Sequence, residues 1–154
     1  MDKTNVMRVL DQKKIKYTPY EYSGDVTEGV VIAQTLGEPM ERVFKTLVTV
    51  ANNSQHYVFC VPVAETLDLK KAAKTVGVKS VSMIKQKELL PLTGYIHGGC
   101  SPVGMKKAFR TVIHQTAENY ETFFVSAGKV GYQVEVKPTE LAALVRAEFA
   151  DIIV

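Results

Sequence analysis

Paired cysteine spacing is absent. The chain has only Cys60 and Cys100, forty positions apart, which excludes the C-x-x-C arrangement of a zinc ribbon or a dithiol redox motif. Its three histidines, His56, His97 and His114, form no H-x-x-x-H pair, so neither a metal nor a cofactor is expected. Missing too is any apolar run approaching the ~18–20 residues of a membrane span. The opening MDKTNVMRVLDQKK sets charges on both sides of a short apolar segment, unlike the core of a secretory signal. There is no repeat, linker or low-complexity tract. What is present is an ordinary globular composition, 46% hydrophobic and 23% charged over 154 residues, enough to bury a core without covalent help. The expectation is a single cytoplasmic domain over residues 1–154, with no membrane contact.

The net charge of +3 conceals an asymmetry. Between Lys70 and Arg110 stand nine basic residues (Lys70, Lys71, Lys74, Lys79, Lys85, Lys87, Lys106, Lys107, Arg110) against one acid, Glu88. Folded into one surface they would favour a polyanionic partner; spread over several faces they would only keep the chain solvated.

Periodicity predicts a helix over Thr4–Lys14, an edge strand over Tyr17–Tyr22 carrying Pro19, and a short helix over Gly29–Leu36 stopped by Gly37. Val43–Ala51 and His56–Val63 are rich in β-branched and aromatic residues and flank Asn52-Asn53-Ser54, which predicts a hairpin. Asp68 is placed to cap a helix running to Val76. A strand over Ser80–Ile84 and a helical turn over Lys85–Leu90 follow, ending before Pro91. Further strands are expected at Thr111–His114, Thr122–Ser126 and Tyr132–Val136. The last helix is expected to be capped by Thr139, with Leu141, Leu144, Val145, Glu148 and Phe149 at helical spacing. This order is α+β without a βαβ rhythm, and points to a mixed, strongly curled sheet with helices packed outside it.

Three places break the buried/exposed pattern. Lys45, in VFKTLVTV, lies on a strand whose two faces both look apolar, so its ammonium either meets an anion or snorkels to solvent at a sheet edge. In GGCSPVGMKK, Gly98 and Gly99 allow close backbone approach and converging N–H groups, beside the Ser101 hydroxyl; the alternative is a structural turn. The segment fits neither a P-loop nor a dinucleotide fingerprint. Ser126-Ala127-Gly128-Lys129-Val130-Gly131 either lines the same pocket or is a hairpin turn. Cys60, in an apolar strand, reads as core, and Cys100 has no evident base, so neither is read as a nucleophile.

The segments VFKTLV (43–48), PVAETLDLKKAAK (62–74), GYIHGGCSPVGMKK (94–107), VSAGKVG (125–131) and FADI (149–152) resemble, in this order, the YbaK/EbsC family of Cys-tRNA(Pro) deacylases, related to the editing domain of bacterial prolyl-tRNA synthetases. The resemblance spans nearly the whole chain. It implies a barrel-like mixed sheet with flanking helices and a pocket for the 3′ end of a charged tRNA. It makes Lys45 the essential lysine, Tyr22, Thr46 and Ser126 pocket residues, and Gly98, Gly99 and Ser101 the loop framing the ester carbonyl. Gly128 joins the substrate-binding set. Lys70, Lys71, Lys74, Lys106, Lys107 and Arg110 are expected to contact tRNA, and prolyl-tRNA synthetase is a candidate partner. Two departures stand out: a pocket aromatic of some members is missing near Glu28–Gly29, and Gln133 replaces an acid. The implied chemistry uses the substrate cysteine's own thiol on its ester, with the protein supplying proximity and oxyanion donors. A deacylase for another mischarged tRNA, such as Ala-tRNA(Pro), and a non-catalytic tRNA-binding protein remain the alternatives.

Overall fold

The computed structural model describes residues 1–154. Its first helix, α1 (Asn5–Gln12), starts where the Thr4 hydroxyl accepts from the Met7 N–H, and buries Val6, Met7 and Leu10. β1 (Tyr17–Glu21) follows, then α2 (Gly29–Leu36), ended by Gly37 in the left-handed region. The expected hairpin is β2 (Phe44–Ala51) and β3 (His56–Pro62). Asp68 accepts from the N–H groups of Lys70 and Lys71 to open α3 (Leu69–Val76). Then come β4 (Val81–Met83), α4 (Gln86–Thr93), β5 (Arg110–His114), β6 (Phe123–Ser126), β7 (Tyr132–Val136), α5 (Pro138–Val145) and β8 (Glu148–Ala150).

The strands form two open sheets. One has five strands in the order β4-β2-β3-β5-β8, antiparallel among β4, β2 and β3 and parallel from β3 to β8. The other is antiparallel, β1-β7-β6, with β1 at its edge as Pro19 predicts. A single parallel bridge, Val43 to Phe124, links them. The expected strongly curled, barrel-like sheet is therefore corrected: two sheets meet at one seam, and neither closes. The largest core cluster takes Val58 and Cys60 from one face of β3 together with Val6 and Leu10 of α1, Val125, Val134 and Leu141. The other face of β3 sends Phe59 and Val61 against Ala72, Ala73 and Val76 of α3. Covered on both faces, β3 reads as a continuous apolar run instead of an alternating one.

Two helices, α5 and α4, depart from expectation. The last helix opens at Pro138, with Lys137 at the cap position in place of Thr139, because a first-turn residue needs no N–H partner. It ends at Val145, and Glu148 and Phe149 belong to β8, where pairing with Val112 and Ile113 of β5 overrides their helical spacing. α4 continues through Pro91 to Thr93; the proline removes one internal bond, while the Thr93 hydroxyl donates to the Leu89 carbonyl across the same turn.

Candidate active site at the seam

The seam follows from how β2 is paired. Its odd-numbered residues exchange backbone bonds with β3, as seen at Ala51 N–H to Gln55 C=O and Val63 N–H to Val43 C=O. Its even-numbered residues face the other edge. There β4 covers only Thr49–Ala51, with Ile84 N–H donating to Val48 C=O, and the Val43–Phe124 bridge covers the far end. Between them the alternation directs the N–H and C=O of Thr46 out of an unpaired stretch of edge. A cavity of about 380 Å³ occupies this gap. α2 supplies its wall at Glu28–Val30, α4 at Leu89, the 94–100 loop at His97, Gly98 and Cys100, β6 at Ser126, and β7 at Gln133. Gly29 is needed for this approach, since a Cβ there would lie 2.5 Å from Val63 Cγ1. Gly98 turns the opposite wall in the left-handed region, φ 86°, against Thr27.

Lys45 lines this cavity, half-buried, with no ion pair and no hydrogen bond from its ammonium. Burial lowers its pKa from the usual lysine value, and the charge of Glu65 offsets part of that. Thr46 and Ser126 are also in the wall; the Thr46 hydroxyl lies 3.8 Å from Cys60 Sγ, and the Ser126 hydroxyl accepts from Gly128 N–H at 3.1 Å. Other expected site residues stand behind the wall. Gly99 packs on the Lys129–Val130 backbone, and a Cβ on Gly128 would meet Val6 at 2.8 Å. Ser101 is fully buried and accepts from Val103 N–H. Tyr22 meets the site through Gln133, whose Nε2 donates to its hydroxyl at 3.5 Å.

Cys100 lies in the wall but burial pushes its thiol up to about 12, and Cys60, fully buried, is pushed up to about 12 by the same cause. Neither is a thiolate near neutrality, and no imidazole is hydrogen-bonded to either. No group of three or more His, Cys, Asp or Glu side chains converges as a metal site would require.

The basic residues divide. Lys71 is committed to Asp151 at 2.9 Å and to the Ile153 carbonyl, and Arg110 to Glu148 at 2.7 Å and to the carbonyls of Thr75 and Val76. Lys70 and Lys74 on α3 and Lys107 make no ion pair, and Lys106 reaches the Pro91 carbonyl at the end of α4 at 3.5 Å. Lys85, already counted among the nine basic residues, is exposed at the N-cap of α4, one helical turn before Leu89. His97, with only its position before Gly98-Gly99 to mark it, was not placed in the wall, whereas Gln133, marked by the resemblance as replacing an acid, does line it.

Residues 25–144 match the family described as the aminoacyl-tRNA editing domain. The chain belongs to that family. It is 45% identical over 152 residues to an Enterococcus faecalis protein, EbsC, assigned as a Cys-tRNA(Pro)/Cys-tRNA(Cys) deacylase, covering 97% of this chain and 93% of that one. It is also 29% identical over 107 residues to a proline–tRNA ligase of Burkholderia orbicola, covering 67% of this chain but 18% of the ligase. A crystal structure described as a trans-editing candidate for prolyl-tRNA synthetase superposes with TM-score 0.85 at 25% identity, over 99% of both chains. No helix of the chain is long and apolar enough to cross a membrane.

Proposed function

We propose that this editing-domain protein deacylates mischarged tRNA in the cytoplasm, with Cys-tRNA(Pro) or Cys-tRNA(Cys) as substrate. The observation that carries the reading is the content of the cavity. It holds an unpaired cation on Lys45 and a strand-edge peptide at Thr46, but its one thiol is buried and has no base. Such a site binds and polarises an ester without attacking it. The aminoacyl ester enters between α2 and the 94–100 loop. Lys45 meets the anionic sugar–phosphate end, and the Thr46 N–H is positioned to donate to the carbonyl oxygen as negative charge develops there. The nucleophile then comes with the substrate: the cysteine thiolate forms a C–S bond to its own carbonyl carbon. The ester C–O bond breaks, and the leaving ribose oxygen takes a proton, releasing tRNA and a cyclic thiolactone. The 45% identity to EbsC supports the choice of cysteine over alanine.

Single-turnover deacylation of matched Cys-, Ser- and Ala-tRNA(Pro), with product analysis, tests this. Cleavage of the Cys ester with thiolactone as first product, retained by Cys100→Ser, is expected. Equal rates for Cys and Ser esters, with free amino acid as first product, would replace substrate assistance by attack of an activated water.

A further inference from the structure

Gln133 is 3% exposed on β7 and lines the cavity, yet its Oε1 receives no hydrogen bond. Its only side-chain partner is the Tyr22 hydroxyl, at a long 3.5 Å, and that contact uses Nε2. A buried acceptor without a donor is a standing penalty, which an apolar residue in the same place would remove. We propose that Gln133 is the specificity-determining acceptor for the α-ammonium of the aminoacyl group. This rests on the deacylase reading above.

The chemistry of the substrate selects the donor. An aminoacyl ester with a thiol side chain offers an ammonium, a ribose hydroxyl and the thiol. The thiol is a weak donor and must be free to attack. The hydroxyl is neutral and loses little by keeping a water. The ammonium loses most on leaving water, and gains a charge-assisted bond that is about twice as strong as a neutral one. Position agrees with this choice. The β2 wall carries the Lys45 cation, which repels an ammonium and turns it toward the β6–β7 side, where Gln133 lies. The one carboxylate in the wall, Glu28, is exposed and already solvated.

The test pairs deletion of the residue with deletion of the substrate group. Cys-tRNA(Pro) and 3-mercaptopropionyl-tRNA(Pro), which keeps the thiol but has no amine, are each assayed at single turnover with the wild type, Gln133→Leu and Gln133→Glu. Removing the amine should lower wild-type kcat/KM by roughly 10- to 100-fold, the range of a hydrogen bond to a charged group. Gln133→Leu should lose about as much on the cysteinyl ester and nothing further on the amine-free ester. Gln133→Glu, which keeps an acceptor, should stay within a few-fold of wild type on the cysteinyl ester. Equal losses on both esters in Gln133→Leu would make the residue a packing element and overturn the assignment. So would a Gln133→Glu variant as impaired as Gln133→Leu, or an amine-dependent loss that appears in Glu28→Gln instead. A wild type inert on both esters would overturn the deacylase reading itself, and the assignment with it.

Discussion

Two tyrosine contacts, Tyr20 to Glu135 and Tyr22 to Gln133, lie two residues apart along β7 and carry opposite hydrogen-bond balances. At the outer pair, the Tyr20 hydroxyl donates to Glu135 at 2.7 Å, Thr122 donates to the same carboxylate at 2.5 Å, and Arg42 closes the network at 3.0 Å. Arg42 also donates to the Thr122 carbonyl and lies 5.2 Å from the Phe124 ring centre. Both Glu135 oxygens are satisfied. At the inner pair, two residues back on the same face of β7, Gln133 has a marginal contact to Tyr22 and an empty acceptor. Across the gap from it stands Lys45 with no counter-ion. The outer network joins β1, β6, β7 and the turn before β2, and so fixes the seam. The inner groups leave their polar capacity open, which is what a site has to offer a ligand. At this seam, polar satisfaction thus separates the structural network from the site.

The largest effect expected from breaking that contrast is at Lys45. Lys45→Ala should lower kcat/KM for the cysteinyl ester by about 100-fold or more, the range for removing one electrostatic donor from a site. Its melting temperature should hold or rise, because no buried partner is left uncompensated. A variant that turns over normally would return Lys45 to the role of a snorkelling surface lysine; one that unfolds would make the ammonium part of the scaffold.

Glu135→Ala should do the reverse. It strands Arg42, Tyr20 and Thr122 at a junction about four-fifths buried, and should cost about 2–3 kcal/mol, or roughly 4–12 °C in Tm. Burial pushes the Glu135 carboxyl up, but hydrogen bonds from Thr122, Tyr20 and Arg42 outweigh it and hold the pKa below the usual 4.5. The stability it contributes is therefore fully present above pH 4.5 and is lost as pH falls through the depressed folded value. The gap between wild type and Glu135→Ala, read by thermal melts, should narrow only in that acid range. A constant gap would mean the junction acts by packing alone.

Local chemistry explains what the sequence made legible. The β2–β3 hairpin, the Asp68 cap and the edge position of β1 are written in adjacent residues. β8 was not legible, because helical spacing runs through Glu148 and Phe149 while their strand partner lies more than thirty residues away. The site divides the same way. Lys45, Thr46, Gly98 and Ser126 stand in the wall, whereas Gly99, Ser101 and Gly128 hold the loops behind it. Gln133 was marked only by the family resemblance, as the replacement of an acid, and not by its own pattern: Tyr-Gln-Val-Glu-Val alternates like a strand with a solvated face, and only the packing of distant segments buries that face.

The smallest expected effect separates the cations that are free from those already paired. Lys71 and Arg110 lie in the basic stretch, but both hold down the C-terminal segment: Lys71 through Asp151 and Ile153, Arg110 through Glu148. Their ion pairs are about half exposed, so each contributes at most about 1 kcal/mol to stability, and their charge is already balanced. Lys85, at the start of α4, and Lys106, against its end, have no carboxylate partner. If tRNA is drawn in by its phosphates, each free lysine that meets one releases a counterion and adds to the salt slope. Lys85→Gln with Lys106→Gln should therefore flatten the dependence of log K on log salt by roughly 1.4–1.8, at about 0.7–0.9 per contact. Lys71→Gln with Arg110→Gln should leave the slope unchanged while lowering Tm slightly. Filter binding of deacylated tRNA(Pro) across a salt series distinguishes the pairs. A flattened slope in the second pair rather than the first would mean that tRNA breaks the C-terminal ion pairs on binding, and lies across α3 instead of α4.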